Sequence, residues 1–233
     1  MKDDFFTLKQ FKVRHRDSAM KVGTDAVLLG SWAFDGINPK RILDVGTGCG
    51  LMALMLAQRY TEAQIDAIEI EEKAMLEAQF NFEQSPFGDR MRIHFGDFLK
   101  WEGEDGFDAI VCNPPYFQDK LSSSIPERNM ARQERFLPIG SFLETCNCLL
   151  NEEGVVSVIL PIERYAHWME VAKRFGFYVS RICDVKPFID REANRVLIEW
   201  KKMQTKLEQS ELIVREDSKS YTSEFKRMDL SYM

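Results

Sequence analysis

Asp44-Val45-Gly46-Thr47-Gly48-Cys49-Gly50 is the stretch on which the fold turns. Before it, Arg41–Val45 is short and apolar, as a buried strand requires, and after it Leu51–Tyr60 is rich in Leu, Met and Ala, the strong helix formers. Glycines at such a junction let the chain reverse sharply and let a ligand approach the backbone. A dinucleotide-binding turn reads G-x-G-x-x-G. Here the third glycine comes one residue early, Leu51 stands where that pattern needs glycine, and an acid, Asp44, replaces the apolar residue expected ahead of the turn.

Working outward, strands and helices alternate. Ile65–Ile70, Met91–Phe95, Phe107–Cys112 and Gly154–Leu160 read as strands, and Glu71–Gln84, Phe142–Leu150 and Glu163–Phe175 as helices, the last stopped by Gly176. That alternation calls for a parallel sheet covered on both faces. Tyr178–Val185 and Arg195–Trp200 have no helix between them, so they pair antiparallel, at one edge. Glu211–Arg215 could add a strand, and the tail after Glu216 is expected to be loosely held.

The 233 residues fit one domain or two, and 45% hydrophobic with 29% charged residues is an ordinary globular composition. No apolar run is long enough for a membrane span, and the acidic start Met1–Phe6 lacks the apolar stretch expected of a signal peptide. Cys49, Cys112, Cys146, Cys148 and Cys183 include no C-x-x-C pair, and His15, His94 and His167 are scattered, so neither a disulfide framework nor a metal centre is expected. The expected compartment is the cytoplasm. The net charge of −6 conceals asymmetry: residues 62–108 carry 13 acids and 4 bases, residues 164–206 10 bases and 5 acids. An acidic lobe flanked by basic segments is compatible with an anionic polymer on one face, or with ordinary solvated surfaces.

The chemistry-bearing residues sit at strand ends. Glu69 ends the second strand, where a carboxylate can accept both ribose hydroxyls of an adenosine. The string from Asp44 to Gly50 resembles motif I of the class I S-adenosylmethionine-dependent methyltransferases, whose turn packs on the methionine part of the cofactor. That resemblance implies that Asp97, after the third strand, meets the adenine amine. Asn113-Pro114-Pro115-Tyr116 closes the fourth strand; alone it is a rigid turn, but in this slot it resembles motif IV of the amino-methyltransferases, which act on planar nitrogens. Such a nitrogen is a poor nucleophile because its lone pair is delocalised into the ring. The Asn113 side-chain oxygen and the Pro114 carbonyl are a natural pair of acceptors for its hydrogens, and Tyr116 would stack on the base.

Met20–Ala33 narrows the resemblance to the bacterial tRNA1(Val) adenine-N6-methyltransferase family, as do Arg128–Arg132 and Asn194–Glu199; coverage runs from about Phe5 to Trp200. The family implies a Rossmann-like class I methyltransferase fold: α/β, a mostly parallel seven-stranded sheet with an antiparallel edge strand and helices on both faces. It implies a single methyltransferase domain over 1–233, with an N-terminal extension (1–40), a catalytic core (41–202) and a C-terminal segment (203–233).

The implied cofactor is S-adenosyl-L-methionine, leaving as S-adenosyl-L-homocysteine. Its implied contacts are Lys21, Thr24, Asp25, Asp44, Gly46, Thr47, Gly48, Gly50, Glu69, Ile70, Asp97, Phe98 and Asn113. Catalysis is assigned to Asn113, Pro114, Pro115 and Tyr116. The implied partner is tRNA, with no membrane and no obligate protein partner, and Lys12, Arg14, Arg16, Arg128, Arg132 and Arg195 are candidate contacts to it. Lys9 and Arg135 are further candidate phosphate contacts. On the residues alone Thr24 is also a possible helix N-cap. Gln133 departs from the histidine the family carries there, which puts any role for that position in doubt. Alternatives that keep the chemistry are a glutamine-amide methyltransferase of release factors, with only about 40 residues ahead of the turn for the extra domain such enzymes carry, or an rRNA or DNA amino-methyltransferase. A catalytically idle RNA-binding adaptor is the reading from another class.

Overall fold

The central strands are buried almost throughout, and their successive side chains enter two apolar layers in turn, as a sheet covered on both faces demands. In β3 (Arg41–Val45) Ile42 joins one apolar layer while Leu43 and Val45 join the other; in β6 (Phe107–Cys112) Ala109 and Val111 oppose Ile110 and Cys112. The structure is a computed structural model that describes residues 5–16, 23–101, 103–115, 137–218 and 220–229.

A hairpin, β1 (Phe5–Thr7) and β2 (Lys12–Arg14), precedes α1 (Thr24–Trp32). Then follow β3, α2 (Leu51–Arg59), β4 (Gln64–Glu69), α3 (Glu72–Glu83), β5 (Met91–Phe95) and β6. The second half comprises α4 (Ile139–Leu149), β7 (Leu150–Pro161), α5 (Tyr165–Arg174), β8 (Tyr178–Phe188), β9 (Arg195–Lys201), β10 (Glu208–Arg215) and α6 (Ser223–Asp229). The main sheet has eight strands in the order β10-β8-β9-β7-β6-β3-β4-β5. Helices α1, α2, α3 and α6 contribute to one apolar layer, α4 and α5 to the other.

The Rossmann-like expectation holds, with two differences of detail. β9 is antiparallel, but to β7 on one side and β8 on the other, so it lies inside the sheet. The short link from Phe188 to Arg195 allows only a hairpin return. The edge belongs to an eighth strand, β10, parallel to β8. Its Leu212 and Val214 prolong the apolar layer, and Phe225 of α6 is buried in the same layer at 5% exposure. The segment from Ser220 to Asp229 is therefore held by packing where a loose tail was expected.

Many cations are committed inside the fold. Arg59 donates to the carbonyls of Ser31 and Ala33 at the end of α1, Arg90 to those of Ala57 and Tyr60 at the end of α2, and Lys202 to Asn147 and Leu150 at the end of α4. Each satisfies carbonyls that a helix C-terminus leaves without intrahelical partners. Glu199, 2% exposed, accepts from Arg181 at 3.0 Å and from the Phe34 N–H at 2.6 Å. Phe34 is the one non-glycine residue at positive φ (+64°) among the described residues. Burial pushes the Glu199 carboxyl up, against the lowering pull of Arg181.

Candidate active site

The parallel strands β3, β4, β5, β6 and β7 end on a common rim, joined by the start of β9, where Arg195 faces Pro161 in register. Such a rim is where open α/β sheets bind ligands. The glycine turn lies on it. Gly46 and Gly48 have φ of +69° and +58°, and a Cβ on either would enter open space. Gly50, φ +83°, differs: a Cβ there would lie 2.5 Å from Phe82 Cε1. Two glycines thus keep an open face, while the third lets α3 pack closely against the turn.

Asp44 is fully buried. Its Oδ2 accepts the Thr47 hydroxyl at 2.7 Å, the Ala53 N–H also bonds to the carboxylate, and Oδ1 has no partner among the described residues. Ala53 is the third residue of α2, so Asp44 occupies the donor end of that helix, where a dinucleotide fold would receive pyrophosphate. This is the physical content of the one-residue departure from the dinucleotide pattern. Burial is the main cause that carries the Asp44 pKa up to about 7, and the Glu69 charge adds to the rise. Thr47 is itself buried, turned toward Asp44.

Glu69, 8% exposed, accepts three backbone N–H groups: Gly48 on Oε2, Ile70 and Glu71 on Oε1, each at 2.9 Å. Ile70 stands 64% exposed beside it, an apolar surface at the rim. Asp97 accepts the Leu99 N–H at 3.0 Å and caps the single turn Phe98–Lys100. The Phe98 ring is in the core, 5.6 Å from the Phe142 ring, which leaves its main chain to meet a ligand.

After β6, Asn113 is half-buried and Pro114 buried. Asn113 Oδ1 is without exposure and without a partner among the described residues, a state that buried polar atoms rarely keep. The preceding Cys112 thiol is pushed well up by burial and by the charges of Asp44 and Glu69, so it is no nucleophile. Tyr116, Lys21, Arg128, Arg132 and Arg135 lie outside the described residues.

The remaining expected contacts divide. Thr24 is the first helical residue of α1, behind Gly23 as N-cap, so its side chain is not the cap. Asp25 Oδ2 accepts from Arg195 Nε at 3.0 Å, which brings an expected cofactor residue and an expected RNA residue together. Arg14 is spent inside the protein: its Nε lies 3.4 Å from buried Glu77 and its guanidinium over the Phe80 ring. Lys9, Lys12 and Arg16 are exposed, and the Arg16 N–H bonds to Glu77. Sequence reasoning missed Glu77 and Asn81. Asn81 binds both the N–H and the carbonyl of Arg14 and donates to the Cys49 carbonyl, each at 2.8 Å, bracing the hairpin against the glycine turn. The signal was present: two polar residues on the same inward helix face as Ala74 and Ala78.

Comparison with known proteins agrees with this geometry. Residues 20–156 match the family model described as methyltransferase small domain. A protein of Flavobacterium psychrophilum named tRNA1(Val) (adenine(37)-N6)-methyltransferase is 41% identical over 94% of this chain and 95% of its own length. A protein of Vibrio campbellii with the same name is 39% identical over 96% and 92%. Among solved structures, a predicted O-methyltransferase from Agrobacterium tumefaciens superposes with a TM-score of 0.70 at 19% identity, covering 89% of this chain and 96% of its own; that likeness concerns the fold.

Proposed function

This chain belongs to the methyltransferase small domain family and, within it, to the tRNA1(Val) (adenine(37)-N6)-methyltransferases, and from that membership we propose that it methylates N6 of the adenosine next to the anticodon of that tRNA. The observation that carries the reading is the unpartnered Asn113 oxygen on the rim, beside Pro114 and across from an open glycine turn.

The residues fit S-adenosylmethionine. Gly46 and Gly48 leave the turn open, the Glu69 carboxylate can exchange backbone donors for ribose hydroxyls, and Ile70 offers an apolar face to an adenine. Asp97 and the Phe98 main chain would meet the adenine edge. Asp44 takes an amide donor at the start of α2, the helix end on which a phosphate would otherwise sit. When bound, S-adenosylmethionine supplies an activated methyl group and leaves as S-adenosylhomocysteine.

The chain's own work is positioning. Asn113 Oδ1 and the Pro114 carbonyl accept the two amine hydrogens, which aims the nitrogen lone pair at the methyl. The nitrogen becomes cationic as the N–C bond forms and then loses a proton readily to water, so no strong base is needed. Tyr116 would stack on the base, which a helix or loop must first present unstacked.

Labelled S-adenosylmethionine and bulk tRNA lacking the modification test this. N6-methyladenosine in tRNA is expected, and Asn113→Ala should lower transfer roughly 100-fold or more with S-adenosylhomocysteine binding retained. Label found only in a release factor would replace the tRNA reading.

A further inference from the structure

Resting on the methyltransferase reading above, we propose that Asn81 is a positioning residue that couples the cofactor turn to the hairpin β1–β2. An occupied turn then firms a cationic platform for the tRNA. Buried at 1% exposure, Asn81 acts through the two segments it joins.

The join is a single side-chain amide on α3. Its Oδ1 accepts the Arg14 N–H, and its Nδ2 donates to the carbonyls of Arg14 and Cys49, each at 2.8 Å. One acceptor and two donors in one plane are what asparagine offers and aspartate does not. Both amide hydrogens are committed, one to the hairpin and one to the turn, so neither bond can be re-aimed without disturbing the other. Cys49 stands between Gly48 and Gly50, at φ +58° and +83°. Flanking glycines restrain the Cys49 peptide little. A ligand laid against the open face at Gly46 and Gly48 therefore fixes the carbonyl to which Asn81 donates.

The hairpin depends on such ties. It is a sheet of its own, with Phe5, Phe6 and Thr7 facing Arg14, Val13 and Lys12 and no strand shared with the main sheet. A two-stranded hairpin is at best marginal alone in water. Its Leu8, Phe11 and Val13 are buried, and the Phe11 ring meets Phe87 edge-on at 5.8 Å. Glu77, one helical turn before Asn81, is fully buried and accepts the Arg16 N–H at 2.7 Å. Helix α3 thus holds the strand at Arg14 and at Arg16, and of these two anchors Asn81 is the one that also bonds the turn.

The platform's chemistry is cationic. Residues 5–16 include Lys9, Lys12, Arg14 and Arg16 and no acid. Arg14 is spent on Glu77, whereas Lys9, Lys12 and Arg16 are exposed. A polyanion gains most from cations already held in place, because ordering them on binding costs free energy. Cofactor occupancy, by firming the hairpin, removes part of that cost, and by linkage the RNA returns the same factor to the cofactor.

Fluorescence anisotropy of unmodified tRNA on the full chain, with and without saturating S-adenosylhomocysteine, tests the coupling. In the unaltered protein the ligand should tighten tRNA binding about fivefold or more. Asn81→Ala should bring that factor to within about twofold, with each ligand alone bound within about threefold of its unaltered affinity and thermal melting showing a folded protein. Lys9→Gln and Lys12→Gln should each weaken tRNA binding and lower its salt slope by about one, leaving S-adenosylhomocysteine alone unaffected. Hydrogen exchange on the unaltered protein needs no variant: S-adenosylhomocysteine should slow exchange in residues 5–16 as well as in the turn. No tightening in the unaltered protein, tightening that survives Asn81→Ala, or hairpin exchange indifferent to the ligand would overturn the coupling. A salt slope untouched by both lysine variants would remove the hairpin from the RNA and overturn it too. A protein that binds S-adenosylhomocysteine but no tRNA would fail the tRNA reading itself, and the coupling would fall with it.

Discussion

Gly48 donates its N–H to Glu69 Oε2 at 2.9 Å, so the second glycine of the turn is tied to the tip of β4 before any ligand arrives. With the Ile70 and Glu71 N–H groups on the other oxygen, the carboxylate is held in place by three donors. Replacing it leaves those donors unpaired and removes the acceptor for a ribose. Glu69→Ala should therefore weaken S-adenosylhomocysteine about 10- to 100-fold and lower the melting temperature; Glu69→Gln, which keeps one acceptor, should do less of both. Calorimetry showing unchanged affinity for Glu69→Ala would leave Glu69 as a structural tie only.

Asp44 gives a pH prediction of unusual sign. A carboxyl whose pKa stands at about 7 in the folded chain is protonated there over a range in which the unfolded chain, with an ordinary aspartate near 4, is ionised. The folded state then binds more protons, so stability falls as pH rises from about 4 to about 7, by on the order of 4 kcal/mol in total. Asp44→Asn removes this dependence. Relative to the unaltered protein it should melt higher at pH 8 than the comparison at pH 4 would suggest, measured by scanning calorimetry at both. If Asp44→Asn is instead destabilised relative to the unaltered protein by more at pH 8 than at pH 4, Asp44 is ionised and well paired.

The glycines separate folding from binding. Gly50→Ala forces a Cβ to within 2.5 Å of Phe82 at φ +83°, inside the packed layer. It should cost about 2–4 kcal/mol, from the left-handed backbone and the overpacking together. Gly48→Ala carries only the backbone cost of about 1–2 kcal/mol, because its Cβ meets open space, but the methyl projects where the cofactor is proposed to lie. Urea titrations should rank Gly50→Ala as the less stable, and cofactor titrations should rank Gly48→Ala as the weaker binder. The same ranking in both assays would show that the turn has one role.

What was legible in the sequence follows from how local each signal is. Apolar strands ending at glycine or proline turns mark the rim, and they placed Asp44, Glu69, Asp97 and Asn113 at successive strand ends, where the structure has them. The inward position of β9 was not legible, because pairing order depends on β10 adding beyond β8, a choice made by packing Leu212, Val214 and Phe225 far from the hairpin itself. Charge was the least legible property. Arg14 reads as a candidate contact to tRNA, yet it is committed to the Glu77 carboxylate, and Arg59, Arg90 and Lys202, which nothing in the sequence singles out, are committed to helix-end carbonyls supplied from elsewhere in the chain.

Glu199 shows how a residue inside a family-like string can serve the fold. Asn194–Glu199 resembles the family in sequence, but only the Arg195 end reaches the rim; Glu199 lies toward the other end of β9, pairing Arg181 and holding the Phe34 N–H. Phe34 sits at φ +64°, fully buried, and its N–H has that carboxylate as acceptor. Glu199→Ala leaves the Phe34 N–H without its acceptor and leaves the mostly buried Arg181 guanidinium only the Trp32 carbonyl at 3.5 Å and the Glu208 carboxylate at 3.8 Å, and should cost about 3 kcal/mol. Glu199→Gln keeps an acceptor for Phe34 and should cost less. Neither reaches the reacting groups, so kcat/KM per folded molecule should stay within about twofold of the unaltered protein, the range expected of an uninvolved site. Denaturant titration paired with transfer assays on the same samples separates the two effects: full stability with lost transfer would place Glu199 in the catalytic machinery.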